Sequence, residues 1–257
     1  MTDAHCHVSC GDSSVREFLI GRDFFGIHPW ETLSTPTPPL TYPTPTLADP
    51  TPTLADLNPT LADSILTLDP NLQELLASLR PKLLANPNAG VGEIGLDRLK
   101  VRDIPPLMRT VFEFQLSLAI ELHRPVVLHG AKCWGQVVTT VKRMIGGGLA
   151  TRDTRQAFLF HGFSRSDGLI PEIVKLNGFI SVGPAVLNDH AVNYRELVKK
   201  IPLDRLLVET DAVAEARVPT RPHIRDVLAK TADILNLSAS ELERITDENA
   251  DRFFGVV

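Results

Sequence analysis

The sequence predicts an α/β fold, a (β/α)₈ TIM barrel that is regular or distorted, formed by residues 1–257 as a single domain. Short apolar runs alternate with longer amphipathic segments across brief links, an order typical of strands and helices that build a parallel sheet. Several apolar runs end in a histidine or a carboxylate, and the carboxyl ends of all strands in a barrel share one face. A chain of 257 residues also has the length that α/β barrels commonly reach.

The same patterns assign the elements in order. Seven strands are predicted and an eighth is not legible; they cover residues 3–7, 24–27, 91–97, 125–129, 157–161, 178–182 and 206–211. Helices are predicted over residues 69–84, 105–122, 134–145, 168–176, 190–200 and 221–235, with a final helix from Ser238. An open doubly wound sheet suits the pattern less well, because no Gly-x-Gly-x-x-Gly follows the first strand and such a sheet does not gather five strand ends round one point.

The composition favours an intracellular globular protein. The hydrophobic share is 43 %, and no apolar run is long enough to span a membrane. The first residues lack the basic and then apolar regions of a signal peptide, so none is expected. Three cysteines give no disulfide framework. We therefore expect a cytoplasmic or nuclear location, with no membrane association and no obligate protein partner.

Charge is distributed unevenly along the chain. The net charge is −5, which by itself argues against a nucleic-acid partner. Residues 98–165, however, carry 11 Lys or Arg against 4 Asp or Glu, whereas the rest of the chain carries 15 against 27. This asymmetry can indicate a partner that bears phosphates, and it can equally reflect barrel helices with charged outer faces.

Residues 34–70 differ in composition from the rest of the chain. They contain 9 of the 20 prolines and a near-repeat, Pro-Thr-Leu-Ala-Asp, at 45–49, 52–56 and 59–63. Prolines this dense forbid a continuous helix or strand. We predict a low-complexity loop or a short stack of turns, inserted after the second predicted strand and too short to be a separate domain.

The first strand carries two histidines, in the segment Asp3-Ala-His-Cys-His7. Because side chains alternate along a strand, His5 and His7 point to one side and Cys6 to the other. Histidine is the commonest metal ligand, and these two rings can converge on one cation. Two surface histidines near a chain end would give the same pattern, so the interpretation depends on further ligands elsewhere.

Further candidate ligands lie at later strand ends. Glu93 lies in a short apolar strand, and a buried carboxylate needs a positively charged side chain or a metal as its partner. His129 and His161 each end an apolar run, and Asp211 ends the last predicted strand. His28 also ends a strand, since the proline after it cannot continue one. These positions predict a metal site at one end of the barrel, with an arginine partner for Glu93 as the alternative.

Motifs of this kind follow one another along nearly the whole chain, apart from the Pro/Thr-rich insert. They are Asp3-Ala-His-Cys-His7, Gly26-Ile-His-Pro29, Val91–Asp97, Pro125–His129, His161-Gly-Phe-Ser164, Gly178–Gly183, Pro202–Asp211 and Ile245–Ala250. In this order they resemble the TatD family of metal-dependent deoxyribonucleases, within the amidohydrolase-like barrels.

The resemblance implies a site for two divalent ions, with Mg²⁺, Mn²⁺ and Zn²⁺ as candidates. His5, His7 and Asp211 would hold one ion and His129 and His161 the other, with Glu93 bridging them. Asp211 and Glu93 would be the catalytic residues, and Asp211 would orient a metal-activated water and take its proton. Two nearby metals can stabilise the attacking and leaving oxygens of a phosphodiester displacement. The implied activity is that of a hydrolase of ester bonds, a deoxyribonuclease or exonuclease with DNA as its substrate.

The chain departs from the family pattern around these ligands. The family usually has His-Pro-His where this chain has His28-Pro29-Trp30, and an aromatic residue at Arg98. It usually has Ser-Arg-Asp where this chain has Gly130-Ala-Lys132, and Ser-Gly-Ser where it has Ser164-Arg165-Ser166. We expect His28 to contact the substrate phosphate, and Arg98, Lys132 and Arg165 to bind further phosphates or to face solvent.

Two other functions fit the same residues. One is the hydrolysis of a small ester or amide, and the other is a non-catalytic barrel that keeps its metals for binding or scaffolding. Glu93 and Asp211 are both present and favour catalysis, because a scaffold has no use for a water-activating carboxylate. The altered residues around them favour a function that has diverged from that of the family.

Overall fold

The computed structural model describes residues 1–33, 68–146, 156–212 and 223–255. Within these ranges the strands are β1 (Thr2–Cys6), β2 (Arg16–Leu19), β3 (Phe24–Phe25), β4 (Gly90–Gly95), β5 (Val126–His129), β6 (Phe158–Phe160), β7 (Gly178–Val182) and β8 (Leu206–Val208). The helices are α1 (Pro70–Ala85), α2 (Pro106–Glu121), α3 (Trp134–Met144), α4 (Ile170–Lys175), α5 (Val192–Val198), α6 (Ile224–Leu235) and α7 (Ala239–Phe254).

Neighbouring strands run parallel and follow the chain order. β3 to β8 form a six-stranded sheet, and β1 pairs with β2 in a second sheet. The two sheets meet on both sides: Ile20 forms a parallel bridge with Phe24, and the Asp211 N–H donates to the His5 carbonyl at 3.1 Å. The strands therefore succeed one another round a TIM-barrel-like α/β fold, as the sequence predicts.

Strand side chains are buried on both faces, as in other parallel sheets covered by helices. In β5, Val126 and Leu128 pack with the helices, whereas Val127 belongs to a separate apolar cluster inside the barrel. Helix α7 contributes Phe253 to that inner cluster, and its ring centroid lies 5.8 Å from that of Phe179. Apolar side chains thus fill one end of the barrel, which leaves the carboxyl ends of the strands for polar groups.

The structure corrects the predicted strand order. β2 is the strand that the sequence did not reveal, because it is no continuous apolar run: Arg16 pairs with Asp251 and Glu17 accepts the Ser9 hydroxyl. The insert therefore follows the third strand instead of the second. Its residues 34–67 lie outside the described part of the chain, and α1 begins at Pro70 with Asp69 as its N-cap.

The predicted helices are confirmed to within a few residues at each end. Ser238, where the sequence predicts the start of the final helix, is the N-cap of α7 and accepts the Glu241 N–H at 3.2 Å. No helix in the described ranges is long and apolar enough to cross a membrane.

Candidate metal centre

Two sets of side chains face the two oxygens of Glu93. Its Oε2 lies 3.5 Å from His5 Nε2 and 3.3 Å from His7 Nε2. Asp211 Oδ1 lies 3.6 and 3.7 Å from the same two nitrogens. Glu93 Oε1 lies 2.5 Å from His129 Nδ1 and also contacts His161 Nε2. The structure therefore brings together all six residues that the sequence proposes as ligands.

The two sets differ in exposure, and we name them accordingly. The open set consists of His5, His7, Asp211 and Glu93 Oε2, and its Asp211 side chain is 46 % exposed. The closed set consists of His129, His161 and Glu93 Oε1, and all three of its side chains are at most 13 % exposed.

The local backbone of β4 turns Glu93 toward this end of the barrel. The pairing register between β4 and β5 shifts between Val91 and Ile94, and both of these side chains pack on the outer, helix-facing side. An irregularity of this kind re-aims one side chain, and here that side chain is Glu93.

A glycine brings the end of β4 close to β5. At Gly95 (φ +150°) a Cβ atom would lie 2.0 Å from the His129 carbonyl oxygen. This approach seats His129 between Glu93 and Asp97.

Asp97 is a buried partner of His129 that the ligand assignment from sequence did not include. Its Oδ2 lies 2.7 Å from His129 Nε2. Burial raises the pKa of Asp97, but hydrogen bonds from His129, the Leu99 N–H and Trp30 outweigh burial and lower it. The carboxylate can accept the Nε2 proton of His129, which would leave Nδ1 free to bind an ion, an arrangement common around metal-binding histidines. The sequence feature that could have identified Asp97 is its position, two residues after Gly95 at the end of β4.

Glu209 is a second buried carboxylate that the sequence reading passed over. It accepts the Ser181 hydroxyl at 2.5 Å and the Gly162 N–H at 2.7 Å, and Oε1 lies 4.0 Å from His161 Nδ1. Burial raises its pKa. Asp3 is buried too, with a pKa raised to about 6 by burial, and it accepts the Thr210 N–H and hydroxyl. These bonds hold the ends of β1, β6, β7 and β8 in place around the ligands.

The open set fits a divalent cation. His5 is completely buried, and within the described residues neither of its ring nitrogens has a hydrogen-bond partner. Burial lowers the pKa of His5, but the carboxylates of Asp211 and Glu93 outweigh burial and raise it well above its ordinary value. The separations of 3.3–3.7 Å match the ~3.4 Å between ligand atoms around a tetrahedral ion with bonds of ~2.1 Å.

The contacts of the closed set favour a proton on His129 at the place where an ion would bind. Burial lowers the pKa of His129, but hydrogen bonds to Asp97 and Glu93 raise it to about 9. Burial raises the pKa of Glu93, but His161 and His129 lower it well below its usual range. His129 Nδ1 lies only 3.1 Å from His161 Nε2, so these atoms must separate slightly to admit a cation in place of the proton.

His28 lies beside the closed set, as expected for a residue near the reacting group. Its Nε2 is 3.7 Å from Glu93 Oε1, and the side chain of Gln115 holds the neighbouring Ile27 through both its N–H and its carbonyl. His28, Glu93 and His129 also form a possible cation-binding group of their own. However, His28 Nδ1 accepts a hydrogen bond from the backbone N–H of Trp30. Neutral His28 therefore carries its proton on Nε2 and presents a hydrogen-bond donor to the centre.

The three predicted cationic contacts occupy different positions. Arg165 is exposed and lines a cavity of about 1000 Å³ that Asp211 and Glu209 also border. Arg98 donates its side-chain Nε–H to the Arg102 carbonyl, and Lys132 is exposed beyond β5. Of the three, the structure brings Arg165 alone to the cavity beside the open set, as far as the described residues show.

The fold and this cluster define a barrel with two adjacent candidate cation positions at the carboxyl ends of its strands. The chain belongs to the family described as TatD related DNase, whose family model matches residues 21–255. The match begins after His5 and His7, so the place of these two histidines in the cluster rests on the geometry.

Comparison with individual proteins gives the same family. The chain is 30 % identical over 176 residues to the uncharacterized metal-dependent hydrolase YabD of Bacillus subtilis, covering 65 % of each chain. It is 28 % identical over 177 residues to the 3'-5' ssDNA/RNA exonuclease TatD of Klebsiella pneumoniae. The crystal structure of the TatD homologue YJJV from Escherichia coli superposes with a TM-score of 0.60 at 28 % identity, covering 76 % of this chain and 74 % of that one. The chain spans between 62 % and 65 % of the length of the first relatives it matches.

Proposed function

We propose that the chain is a divalent-metal-dependent hydrolase that cleaves phosphodiester bonds in nucleic acid, with DNA as the expected substrate. The observation that carries the proposal is the placement of Glu93, a buried carboxylate whose two oxygens each face a separate set of nitrogen and oxygen atoms. Such a placement is what a ligand shared by two ions requires. The relative from Klebsiella pneumoniae is named a 3'-5' ssDNA/RNA exonuclease, which supports nucleic acid as the substrate class.

Each set would hold one ion, with Mg²⁺, Mn²⁺ or Zn²⁺ as candidates. His5, His7 and Asp211 would bind the first and His129 and His161 the second, while Glu93 would bind both. Ions at these positions would lower the pKa of a water molecule and stabilise charge on the phosphate oxygens.

Asp211 is suited to accept the proton of the attacking water. Burial raises the pKa of Asp211, but the neighbouring imidazoles of His5 and His161 outweigh burial and lower it. The carboxylate is therefore ionised at neutral pH and can act as a general base. Its exposed face borders the 1000 Å³ cavity, so water and substrate can reach it.

His28 is suited to bind the phosphate as a neutral donor. Burial lowers its pKa to about 4, so the ring carries no charge at neutral pH. Because Nδ1 accepts the Trp30 N–H, the Nε2–H remains for a phosphate oxygen. This role positions the substrate without adding a positive charge that would repel an ion.

The test compares two aspartates that border the same cavity. Asp211→Asn removes the proposed base, so kcat should fall by at least ~10²-fold, the lower end of the range for general-base catalysis. Asp167→Asn is the matched control, because Asp167 lines the cavity but pairs with Lys200 on the surface; its kcat should stay within about threefold. Single-turnover hydrolysis is measured at saturating metal on single-stranded DNA, duplex DNA, RNA and small esters.

Retained hydrolysis in Asp211→Asn, within a few-fold of the unmodified chain, would mean that another group takes the proton. Hydrolysis confined to the small esters would replace the nuclease assignment by an esterase. Metal binding without hydrolysis of any of these substrates would favour a non-catalytic barrel.

A further inference from the structure

Trp30 is an exposed aromatic residue at the edge of the candidate centre. It follows Pro29 in a 3₁₀ turn, Pro29–Thr32, and its side chain lies where the chain departs from the His-Pro-His pattern. Its ring centroid is 5.1 Å from that of His28, whose ring is in turn 4.7 Å from that of His129. One imidazole therefore separates Trp30 from the closed set.

The indole is held in one orientation from two sides. Its side chain hydrogen-bonds the buried carboxylate of Asp97, and the residue before it, Pro29, is buried. The Lys100 ammonium lies 3.6 Å from the ring centroid, a favourable cation–π contact. Trp30 nevertheless remains 37 % exposed. The ring is thus a fixed aromatic surface that stays accessible from solvent.

The segment after β4 adds positive charge and a further exposed apolar side chain. Leu99 is 52 % exposed, and it lies between Arg98 and Lys100, with Arg102 close behind. Aromatic surfaces beside cationic side chains are the common means of binding single-stranded nucleic acid, since bases stack on the rings and phosphates meet the cations.

We propose that Trp30 and Lys100 form a nucleobase-stacking subsite, which holds the base of the nucleotide next to the scissile phosphate. The base would stack on the indole, and the flexible Lys100 side chain would move from the ring to a phosphate of the same strand. This inference rests on the proposed nuclease function and adds a specific contact to it. The competing explanation is that Trp30 acts only through its hydrogen bond to Asp97, as a positioning residue for His129.

Two substitutions separate stacking from the hydrogen bond. Trp30→Phe keeps an aromatic face and loses the indole N–H, whereas Trp30→Leu loses both. Binding of a short single-stranded DNA is measured in the Asp211→Asn background with metal present. We expect Trp30→Leu to raise Kd at least about fivefold, the lower end of the range for one stacked base, and Trp30→Phe to raise it less than about threefold. An oligonucleotide with one abasic position next to the scissile bond should bind the Trp30→Leu variant as well as the intact oligonucleotide does.

Fluorescence gives a second measurement that leaves Trp30 in place. The chain has 2 tryptophans, and Trp134 is buried at 4 % exposure against Phe160 and Phe163. In a Trp134→Phe variant the remaining indole is Trp30, and the intact oligonucleotide should quench its emission more than the abasic one. This measurement decides the matter even where Trp30→Leu fails to fold.

Equal losses in Trp30→Phe and Trp30→Leu, together with weaker metal binding in both, would assign Trp30 to the support of Asp97 and overturn stacking. Equal quenching by intact and abasic oligonucleotides, with hydrolysis of nucleic acid preserved, would also overturn stacking while the proposed function stands. An unmodified chain that neither binds nor cleaves nucleic acid would overturn both.

Discussion

The open and closed sets share Glu93 but are built differently. In the open set, ligand atoms stand 3.3–3.7 Å apart, and His7 and Asp211 are partly exposed. In the closed set, the side chains touch one another directly, and the buried carboxylate of Asp97 supports His129 from behind. One candidate cation position thus has its ligand atoms already at metal-binding distances and is reachable from the cavity, whereas the other candidate position is compact and held by buried hydrogen bonds.

The difference separates two tasks within one centre. A buried, hydrogen-bonded set fixes the orientation of its ligands at the cost of a proton that must leave before an ion binds. An accessible set can receive both an ion and the substrate, and it contains the proposed base, Asp211. We infer that the closed set mainly anchors Glu93 and that the open set carries the exchange of water and substrate.

Replacing the histidines of each set tests this division, and we expect these double variants to change stability and metal binding more than the other substitutions discussed below. His129→Ala with His161→Ala removes the histidine partners of the buried Glu93 and Asp97 carboxylates, and breaking a buried charge pair typically costs ~3–5 kcal/mol. At roughly 2–4 °C per kcal/mol for a chain of this size, Tm of the metal-free protein should fall by about 10 °C. His5→Ala with His7→Ala should lower Tm by less than half as much, since these rings make no short contact with Glu93.

Both double variants should bind one divalent ion fewer per chain, as measured by elemental analysis after desalting. His190→Ala is the control, because His190 is exposed on the cavity wall. Equal destabilisation by the two double variants would contradict the division into an anchoring set and an exchanging set. Unchanged metal stoichiometry in either would refute the assignment of ligands.

The candidate ligands could be identified from the sequence because each interrupts or ends an apolar run. A histidine or carboxylate at the end of a buried strand has few structural reasons to be there, and a barrel gathers all such ends at one face. His5, His7, Glu93, His129 and Asp211 all follow this logic, and the structure brings them together. The overall α/β fold was predictable for the same reason, from runs that are apolar throughout.

The residues behind the ligands could not be predicted in this way. Asp97 and Glu209 act through partners more than 27 positions away in the chain, and periodicity reveals which face a residue occupies without naming its partner. β2 was missed because its charged side chains, such as Arg16, find partners on α7 and so need no apolar pattern. The sequence predicts where candidate ligands converge, whereas the residues that support those ligands depend on packing between strands.

The pH dependence of stability should distinguish metal-free from metal-loaded protein. The pKa of His129 is raised to about 9 from an ordinary value of about 6.5, so protonation of His129 stabilises the folded metal-free chain. A group with a raised folded pKa contributes fully below its unfolded pKa and loses the contribution as pH rises through the folded pKa. Tm without metal should therefore fall between about pH 6.5 and pH 9. His5, whose pKa is also raised, acts in the same direction.

At acid pH the sign is opposite for His28, whose pKa is lowered to about 4. The stability that comes from the neutral form of His28 is lost as pH falls from about 6.5 toward 4. The stability that comes from ionised Glu93, whose pKa is lowered, is lost at still lower pH. If His129 is a metal ligand, metal must displace its proton, and the rise in Tm caused by added metal should grow between about pH 6.5 and pH 9. Thermal melts in chelator and in excess metal measure both curves. Parallel curves across this range would mean that His129 is not a metal ligand.

The smallest effects are expected at the rim, where Arg165 and Lys132 form a matched pair. Both have left-handed backbone angles, φ 60° and 58°, so replacement by glutamine imposes the same backbone strain in each. Arg165 borders the same cavity as Asp211, whereas Lys132 is not among the residues that line this cavity. If the substrate runs through the cavity, Arg165→Gln should raise KM about threefold to tenfold, in the range of ~0.5–1.5 kcal/mol for the net loss of one hydrogen bond at an exposed site, and Lys132→Gln should change it less than about twofold.

The dependence of substrate affinity on salt concentration compares the same two variants without relying on the absolute value of KM. Each phosphate neutralised on a single strand contributes a slope of about −0.7 to the plot of log affinity against log salt. Arg165→Gln should make the slope shallower by about that amount, and Lys132→Gln should leave it unchanged, because a charge outside the cavity meets no phosphate at short range. Equal changes in the two variants would indicate a diffuse positive field over the whole rim in place of a path through the cavity. A KM that does not respond to salt in the unmodified chain would point to a small, weakly charged substrate, and the open set would then be serving a different ester.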